Sequence, residues 1–180
     1  MMLVKEKYEK EVVPQLMKTF NWRNKLAVPK ILKVTVNIGA GRGLQDAKFF
    51  ELVESTLVRI TGQKPAPTKA KKSISAFKVR EGQVVGYKVT LRGARMFDFL
   101  NKLIHVSLPR VRDFHGLDST KLLDRQGNMS LGFKEHIVFP EIRSDEVERL
   151  HGLEICITTS AQQRAEGLAL FQLLGFPFKK

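Results

Sequence analysis

Cys156 is the only cysteine among 180 residues. No disulfide can close within the chain, which fits a reducing compartment. No apolar run approaches the roughly 20 residues that span a bilayer. The opening MMLVKEKYEKEVV mixes charges of both signs and does not read as a secretory or transit peptide. His105, His115, His136 and His151 stand ten or more residues apart and Cys156 has no partner thiol, so no metal-ligand spacing is present. No G-x-S-x-G or comparable nucleophile signature occurs, and no internal repeat or low-complexity tract. These absences predict a soluble, intracellular chain with no metal, no cofactor and no membrane partner. His136 and Cys156 read as ordinary strand residues.

Positive charge is abundant and unevenly placed. The formal net charge is +13, with a sequence pI near 10.0, which points to a polyanionic partner such as nucleic acid or an anionic membrane face. Residues 1 to 95 hold 20 Lys and Arg against 7 Asp and Glu, whereas residues 96 to 180 hold 11 of each, so all of the net charge lies in the first half. Glu135, Glu141, Asp145, Glu146, Glu148 and Glu154 form an acidic cluster in the neutral half. That cluster is read either as a surface for something basic or as a solvated helix face.

Apolar periodicity predicts the elements. Residues 3 to 20 read as an amphipathic helix, with Pro14 placing its start near that residue. Residues 30 to 38, KILKVTVNI, alternate as a strand, and residues 45 to 61 read as a helix ended by Gly62. Residues 63 to 72 read as a Pro-bearing connection. Strands are expected at 73 to 79, 85 to 91, 131 to 139 and 153 to 159, with helices at 94 to 107 and 161 to 174. Residues 109 to 129 read as irregular, and 144 to 150 as a short helix capped by Ser144. The expected fold is α+β: one mostly antiparallel sheet with helices packed on one face, and an extended basic hairpin loop, in a single domain.

IGAGRG, residues 38 to 43, follows a strand and precedes a helix as a dinucleotide fingerprint does. Leu44 stands where the third glycine belongs, and no acidic residue lies about 20 positions on. A tight turn accounts for Gly39 or Gly41, and bare amides letting a phosphate or ribose approach is a further reading. TKAKKSISAFKVREGQVVGYKVTLRG carries a stronger signal. Lys69, Lys71, Lys72, Lys78 and Arg80 precede the first carboxylate, Glu81, and they are interleaved with Ser73, Ser75, Phe77, Tyr87 and Thr90. Cations take phosphates, an aromatic ring stacks on a base or ribose, and hydroxyls reach sugar and phosphate. A solvated hairpin with one core phenylalanine is the plain alternative. With the lopsided charge, nucleic-acid binding is the stronger reading, and RNA rather than DNA, because no helix-turn-helix, zinc or zipper pattern is present.

VPKILKVTVNIGAG, TGQKPAPTKAKKSISAFKVREG, GYKVTLRGARMFDFL, PRVRDFHGL, GFKEHIVFPEI and the C-terminal LEICITTSAQQRAEGLALFQLLGFPFKK together resemble one family over nearly the whole chain. It is the 5S-rRNA-binding protein family of the large ribosomal subunit, number five, in its bacterial form. The resemblance implies a structural, non-enzymatic protein of the cytoplasmic ribosome. Its implied partners are 5S rRNA, 23S rRNA, neighbouring large-subunit proteins of the central protuberance, the P-site tRNA, and a basic small-subunit protein across a bridge. It implies 5S rRNA binding at Asn37, Gly39, Gln63, Lys64, Thr68, Lys69, Thr90 and Arg92. A tRNA-facing loop at about 72 to 85 would use Lys72, Ser73, Phe77, Lys78 and Arg80. The bridge is expected at Arg110, Arg112, Asp113, Glu141, Asp145 and Glu146. A stand-alone RNA chaperone or ribosome-maturation factor of the same fold, and a nucleotide-dependent enzyme built on Gly39 to Gly43, are the alternatives.

Overall fold

The computed structural model describes residues 3–43, 46–112, 114–143, 147 and 149–179. The helices are α1 (Val4–Lys7), α2 (Val13–Thr19), α3 (Ala47–Thr61), α4 (Gly93–Lys102), α5 (Ser119–Leu122) and α6 (Arg164–Leu174). The strands are β1 (Ile31–Gly39), β2 (Ala66–Lys69), β3 (Val84–Leu91), β4 (Met129–Phe133) and β5 (Leu153–Thr159). The strands form one five-stranded sheet in the order β2-β3-β1-β5-β4. Backbone bonds give the directions. Ala40 N–H donates to Val85 O at 2.9 Å, and Ser160 N–H donates to Lys30 O at 2.9 Å. The sheet is antiparallel and the class is α+β, as the sequence predicts.

The first helix does not start at Pro14. Helical backbone begins at Val4 and continues through a wide turn, Tyr8–Val12, into α2. Proline has no N–H for the carbonyl four residues back, and its ring crowds that carbonyl. The chain absorbs this by widening: Val13 N–H donates to Tyr8 O, five residues back, one residue before the proline. The same device recurs after α4, where Leu108 N–H donates to Leu103 O just ahead of Pro109. A single widened turn lets a helix pass a proline without ending. In α3 the carboxylate of Asp46 accepts from Lys48 N–H and Phe49 N–H, and Gly62 closes the other end at φ 65°.

Two strand expectations shift. The predicted strand at 73 to 79 is a tight turn, Ser75–Phe77, bounded by a single bridge between Ile74 and Val79. The strand is instead β2, inside the Pro-bearing segment. It lies at the sheet edge, where Pro67 needs no ladder donor. The strand expected at 131 to 139 ends at Phe133 and gives way to a short helical turn, His136–Val138. Of the helix expected at 144 to 150, Ser144, Asp145, Glu146 and Glu148 lie outside the described residues.

The chain divides into two compact units. One comprises Met1–Val34, Leu91–Leu131 and Cys156–Lys180. It buries Val12, Leu16, Leu100, Leu103, Leu170 and Phe171. Here α6 passes so close to the turn at Gly127 that a Cβ on Gly167 would stand 2.4 Å from Gly127 O. The other comprises Thr35–Thr90 and Gly132–Ile155. It buries Val36, Ile38, Val53, Leu57, Val89, Phe139 and Ile155.

Candidate nucleic-acid interface

Strand alternation sorts the second unit's side chains onto two faces. On β1, Val36 and Ile38 are buried, so Thr35 and Asn37 point the other way and are half-buried. On β3, Val89 is buried, while Lys88 is exposed and Thr90 half-buried. Ala66 lies opposite Lys88 and Thr68 opposite Gly86, so Thr68 belongs with Lys88 and Thr90. This face therefore carries two hydroxyls from β2 and β3, one lysine, and the Thr35 hydroxyl and Asn37 amide of β1. No carboxylate occurs in β1, β2 or β3. The acids lie behind: Tyr87, on the opposite face, meets Phe50 edge-on at 6.3 Å. Burial, and then the Glu54 carboxylate, push the Tyr87 phenol up.

Gly86 lets the three strands close up at the centre of this face. A Cβ there would stand 2.4 Å from Ile38 O and 3.2 Å from Thr68 Oγ1. Gly39 has nothing within 4 Å of such a position, so its backbone is open to a ligand. Gln63 Nε2 donates to Thr90 O at 3.3 Å, tying the chain after α3 to β3. Lys64 and Lys69 are exposed nearby in sequence. The structure thus brings Asn37, Gly39, Thr68 and Thr90 onto one sheet surface and gives Gln63 a scaffolding bond. Arg92 lies in the other unit, where its Nη1 donates to Leu32 O at 3.4 Å. Sequence reasoning did not single out Thr35 and Lys88, although their parity with Asn37 and Thr90 marks them.

The segment carrying Lys72, Ser73, Phe77, Lys78 and Arg80 is closed by its own bonds. Ala70 N–H donates to Gln83 O and Gly82 N–H to Ala70 O, at 2.8 and 3.0 Å. Nearer the tip, Ile74 and Val79 exchange backbone bonds of 2.9 and 3.2 Å. Ser73 Oγ accepts from Glu81 N–H at 2.9 Å. Lys78 turns the chain in the left-handed region, φ 53°. Residues 71 to 78 are all exposed, and Phe77 is 70% exposed.

Of the residues expected at a bridge, Arg110 and Arg112 are exposed in the first unit and Glu141 is half-buried in the second. Asp113, Asp145 and Glu146 lie outside the described residues.

The glycine turn after β1 has a packing explanation. A Cβ at Gly43 would stand 2.2 Å from the Phe49 ring. Asp46 already occupies the N-terminus of α3, where a dinucleotide's pyrophosphate sits in the fingerprint fold, and pairs with Arg149. A cleft of about 810 Å³ lies beside this turn, lined by Gly39, Gly41, Phe49, Lys134, Leu150 and His151 among others. His151 stacks on His136 with ring centroids 3.9 Å apart and planes 5° from parallel. Burial and the neighbouring His136 hold the His151 imidazole down to about 4, so the pair is uncharged at neutral pH. Among the described residues, no three His, Cys, Asp or Glu side chains gather as a metal site, and no helix is long and apolar enough to cross a membrane.

Known proteins complete the description. Residues 24–80 match the family described as ribosomal protein L5, and residues 84–178 match the ribosomal L5 family C-terminus. The large ribosomal subunit protein uL5 of Halothermothrix orenii is 49% identical over 180 residues, covering 100% of both chains. The protein of that name from Thermotoga maritima is 50% identical over 177 residues, covering 98% of this chain and 96% of its own. That from Streptococcus thermophilus is 51% identical over 177 residues, covering 98% of each.

Proposed function

The chain belongs to the ribosomal L5 family, and on that premise we propose that its β2-β3-β1 face binds 5S rRNA. It is a structural constituent of the large ribosomal subunit in the cytoplasmic ribosome, and not an enzyme. The observation that carries the 5S rRNA reading is the composition of that face. Thr35, Asn37, Thr68 and Thr90 offer neutral hydrogen-bonding groups around Lys88, with no carboxylate in the three strands. Hydroxyl and amide groups pair with 2′-hydroxyls, base edges and phosphate oxygens on a shaped RNA surface. Lysines set register on phosphates without reading sequence. Lys64 and Lys69 take phosphate in this reading, as does Arg92 in the other unit. Gly39 puts no side chain in the way of backbone approach, and Gly86 lets the strands beneath the face close up.

A second surface, the hairpin with Lys72, Ser73, Phe77, Lys78 and Arg80, meets the P-site tRNA. Phe77 is a stacking group already held in solvent, and no carboxylate stands between Lys69 and Arg80 in the sequence. Binding 5S rRNA on one surface and tRNA on the other fits a protein that attaches 5S rRNA to 23S rRNA and its neighbouring proteins in the central protuberance. Arg110, Arg112 and Glu141, with Asp113, Asp145 and Glu146, are assigned to a bridge with a basic small-subunit protein.

The test is a salt titration of 5S rRNA binding against an equal mass of bulk tRNA. Asn37→Ala with Lys88→Ala is expected to weaken 5S rRNA binding by about 1–3 kcal/mol. Phe77→Ala with Lys78→Ala is expected to leave it unchanged and to lower tRNA retention in assembled ribosomes. Competition by tRNA equal to that of 5S rRNA at every salt concentration, or equal losses from both pairs, refutes the assignment.

A further inference from the structure

The cleft beside the glycine turn is not used by the hairpin, and among the described residues it shares only Gly39 with the sheet face. It lies within the second unit and measures about 810 Å³, a size that encloses a ligand-sized group. Its lining mixes three chemistries. Leu150, 57% exposed, offers apolar surface. Gly41 has nothing within 4 Å of a Cβ position, so bare backbone is open there. Lys134 is exposed and makes no ion pair among the described residues. The fourth feature is His151, 7% exposed. Its Nδ1 faces Gly152 O at 3.3 Å, and a neutral ring that donates there keeps a lone pair on Nε2. That Nε2 is buried and has no hydrogen-bond partner among the described residues. Buried acceptors are rarely left unmet, and a donor entering at the His151 wall would meet this one.

Charge narrows the choice of occupant. Arg149 also lines the cleft, but it is already paired with Asp46. Among the described residues this leaves Lys134 as the one cation with no acid to meet. A single carboxylate suits such a site. A nucleic-acid strand carries a phosphate at every nucleotide, and its further charges would face the Asp46 carboxylate. A carboxylate, an apolar body and an N–H donor occur together in an acidic peptide, whose side chains supply the first two and whose backbone supplies the third.

We propose that this cleft docks a short acidic segment of a partner protein, with a carboxylate on Lys134, an apolar side chain against Leu150 and a backbone N–H on His151 Nε2. Gly41 lets the main chain of that segment come close. The proposal does not rest on the 5S rRNA reading, and it gives the second unit a protein-binding site apart from its strands.

The probe is the synthetic peptide Ser-Leu-Asp-Leu-Ser, blocked at both ends so that the aspartate is its only charge. It is titrated into isotope-labelled full-length protein and followed by NMR. Gly41, Gly152 and the His151 ring nitrogens are the reporters, because Gly39 also borders the sheet face. The expected result is saturable shifts at these positions, with Nε2 moving more than Nδ1. The same peptide with Asn in place of Asp should bind about tenfold more weakly, and Lys134→Glu should weaken the acidic peptide about tenfold or more, since like charges then face each other. Leu150→Ser should weaken both peptides alike. Lys134 and Leu150 are exposed, so neither change disturbs the core, and the comparison of peptides needs no variant at all. Equal affinity for the acidic and neutral peptides, undiminished affinity in Lys134→Glu, or shifts that miss Gly41 and His151 overturn the proposal. So does a failure to saturate by about 1 mM peptide. Stronger shifts of the same reporters by a single-stranded RNA oligonucleotide overturn the acidic peptide as the occupant.

Discussion

Acid acts on the buried His136–His151 stack in a way the geometry makes quantitative. His151 is 7% exposed, its Nδ1 lies 3.3 Å from Gly152 O, and the His136 ring covers one of its faces at a centroid distance of 3.9 Å. Burial, then the His136 imidazole, lower its pKa from 6.5 to about 4, against a weaker raising effect of the Gly152 carbonyl. Burial also lowers His136. The unfolded chain therefore takes up protons before the folded one. Stability from this source is whole above about pH 6.5, declines as pH falls, and is gone by about pH 4. A tenfold difference in proton affinity is worth about 1.4 kcal/mol, so His151 alone accounts for about 3 kcal/mol. That is a large part of the 5–15 kcal/mol typical of a whole domain. Urea denaturation at pH 7.5, 6, 5 and 4 should be compared with the same series on His151→Phe, which keeps a ring against His136. The wild type should lose about 3 kcal/mol more than the variant across that range, and the two curves should run parallel outside it. Asp118, held low by the Thr120 hydrogen bonds, and Asp124, where burial raises the carboxyl but hydrogen bonds from Asn128, Gln126 and Gly127 together bring it down, titrate in both proteins and cancel. Parallel curves throughout would refute the claim that burial keeps His151 neutral.

Other expectations follow from single contacts. Gly86→Ala and Gly167→Ala each drive a methyl against a carbonyl oxygen 2.4 Å away. Each should cost about 1–3 kcal/mol in thermal or urea unfolding, but only Gly86→Ala should also weaken 5S rRNA binding. Asp46→Ala removes the cap of α3 and should cost about 1 kcal/mol, whereas Arg149→Ala, which loses only an exposed ion pair, should change urea stability by less than about 0.5 kcal/mol. Lys78→Gly should leave the melting temperature unchanged or raise it, because glycine occupies φ 53° freely. Lys78→Val should lower it, and the reverse order would contradict the left-handed turn.

Most of the sheet was legible because its strands obey alternation. Val34, Val36 and Ile38 on β1, and Val89 and Leu91 on β3, mark the buried face without ambiguity. The helix at Ala47–Thr61 announced itself through Phe49, Val53, Leu57 and Ile60, with Gly62 at its end. What misled was proline. Pro67 argued against a strand, and only the edge position of β2 makes it harmless. Pro14 argued for a late helix start, and only a five-residue hydrogen bond, which leaves no trace in apolar spacing, explains its passage. Ile74 and Val79 looked like strand residues because they are apolar, but they pair with each other across a tight turn. On the β2-β3-β1 face, Asn37, Thr68 and Thr90 were singled out through family resemblance, and the register of β2 against β3 groups Thr68 with Thr90. That register, which also recruits Lys88, is a tertiary fact. The stacking of His136 on His151 was equally hidden, since fifteen residues separate them.

The position of Pro67 also bears on what the border of the sheet offers to another strand. An edge strand offers unpaired backbone groups to any other strand it meets. On β2 that edge is only four residues long. It contains a proline, shifts register between Thr68 and Lys69, and has Lys64 before it and Lys69 at its end. Another copy approaching this border meets a missing donor, a kink and like charge. Each of these features makes the border a poor template for another strand.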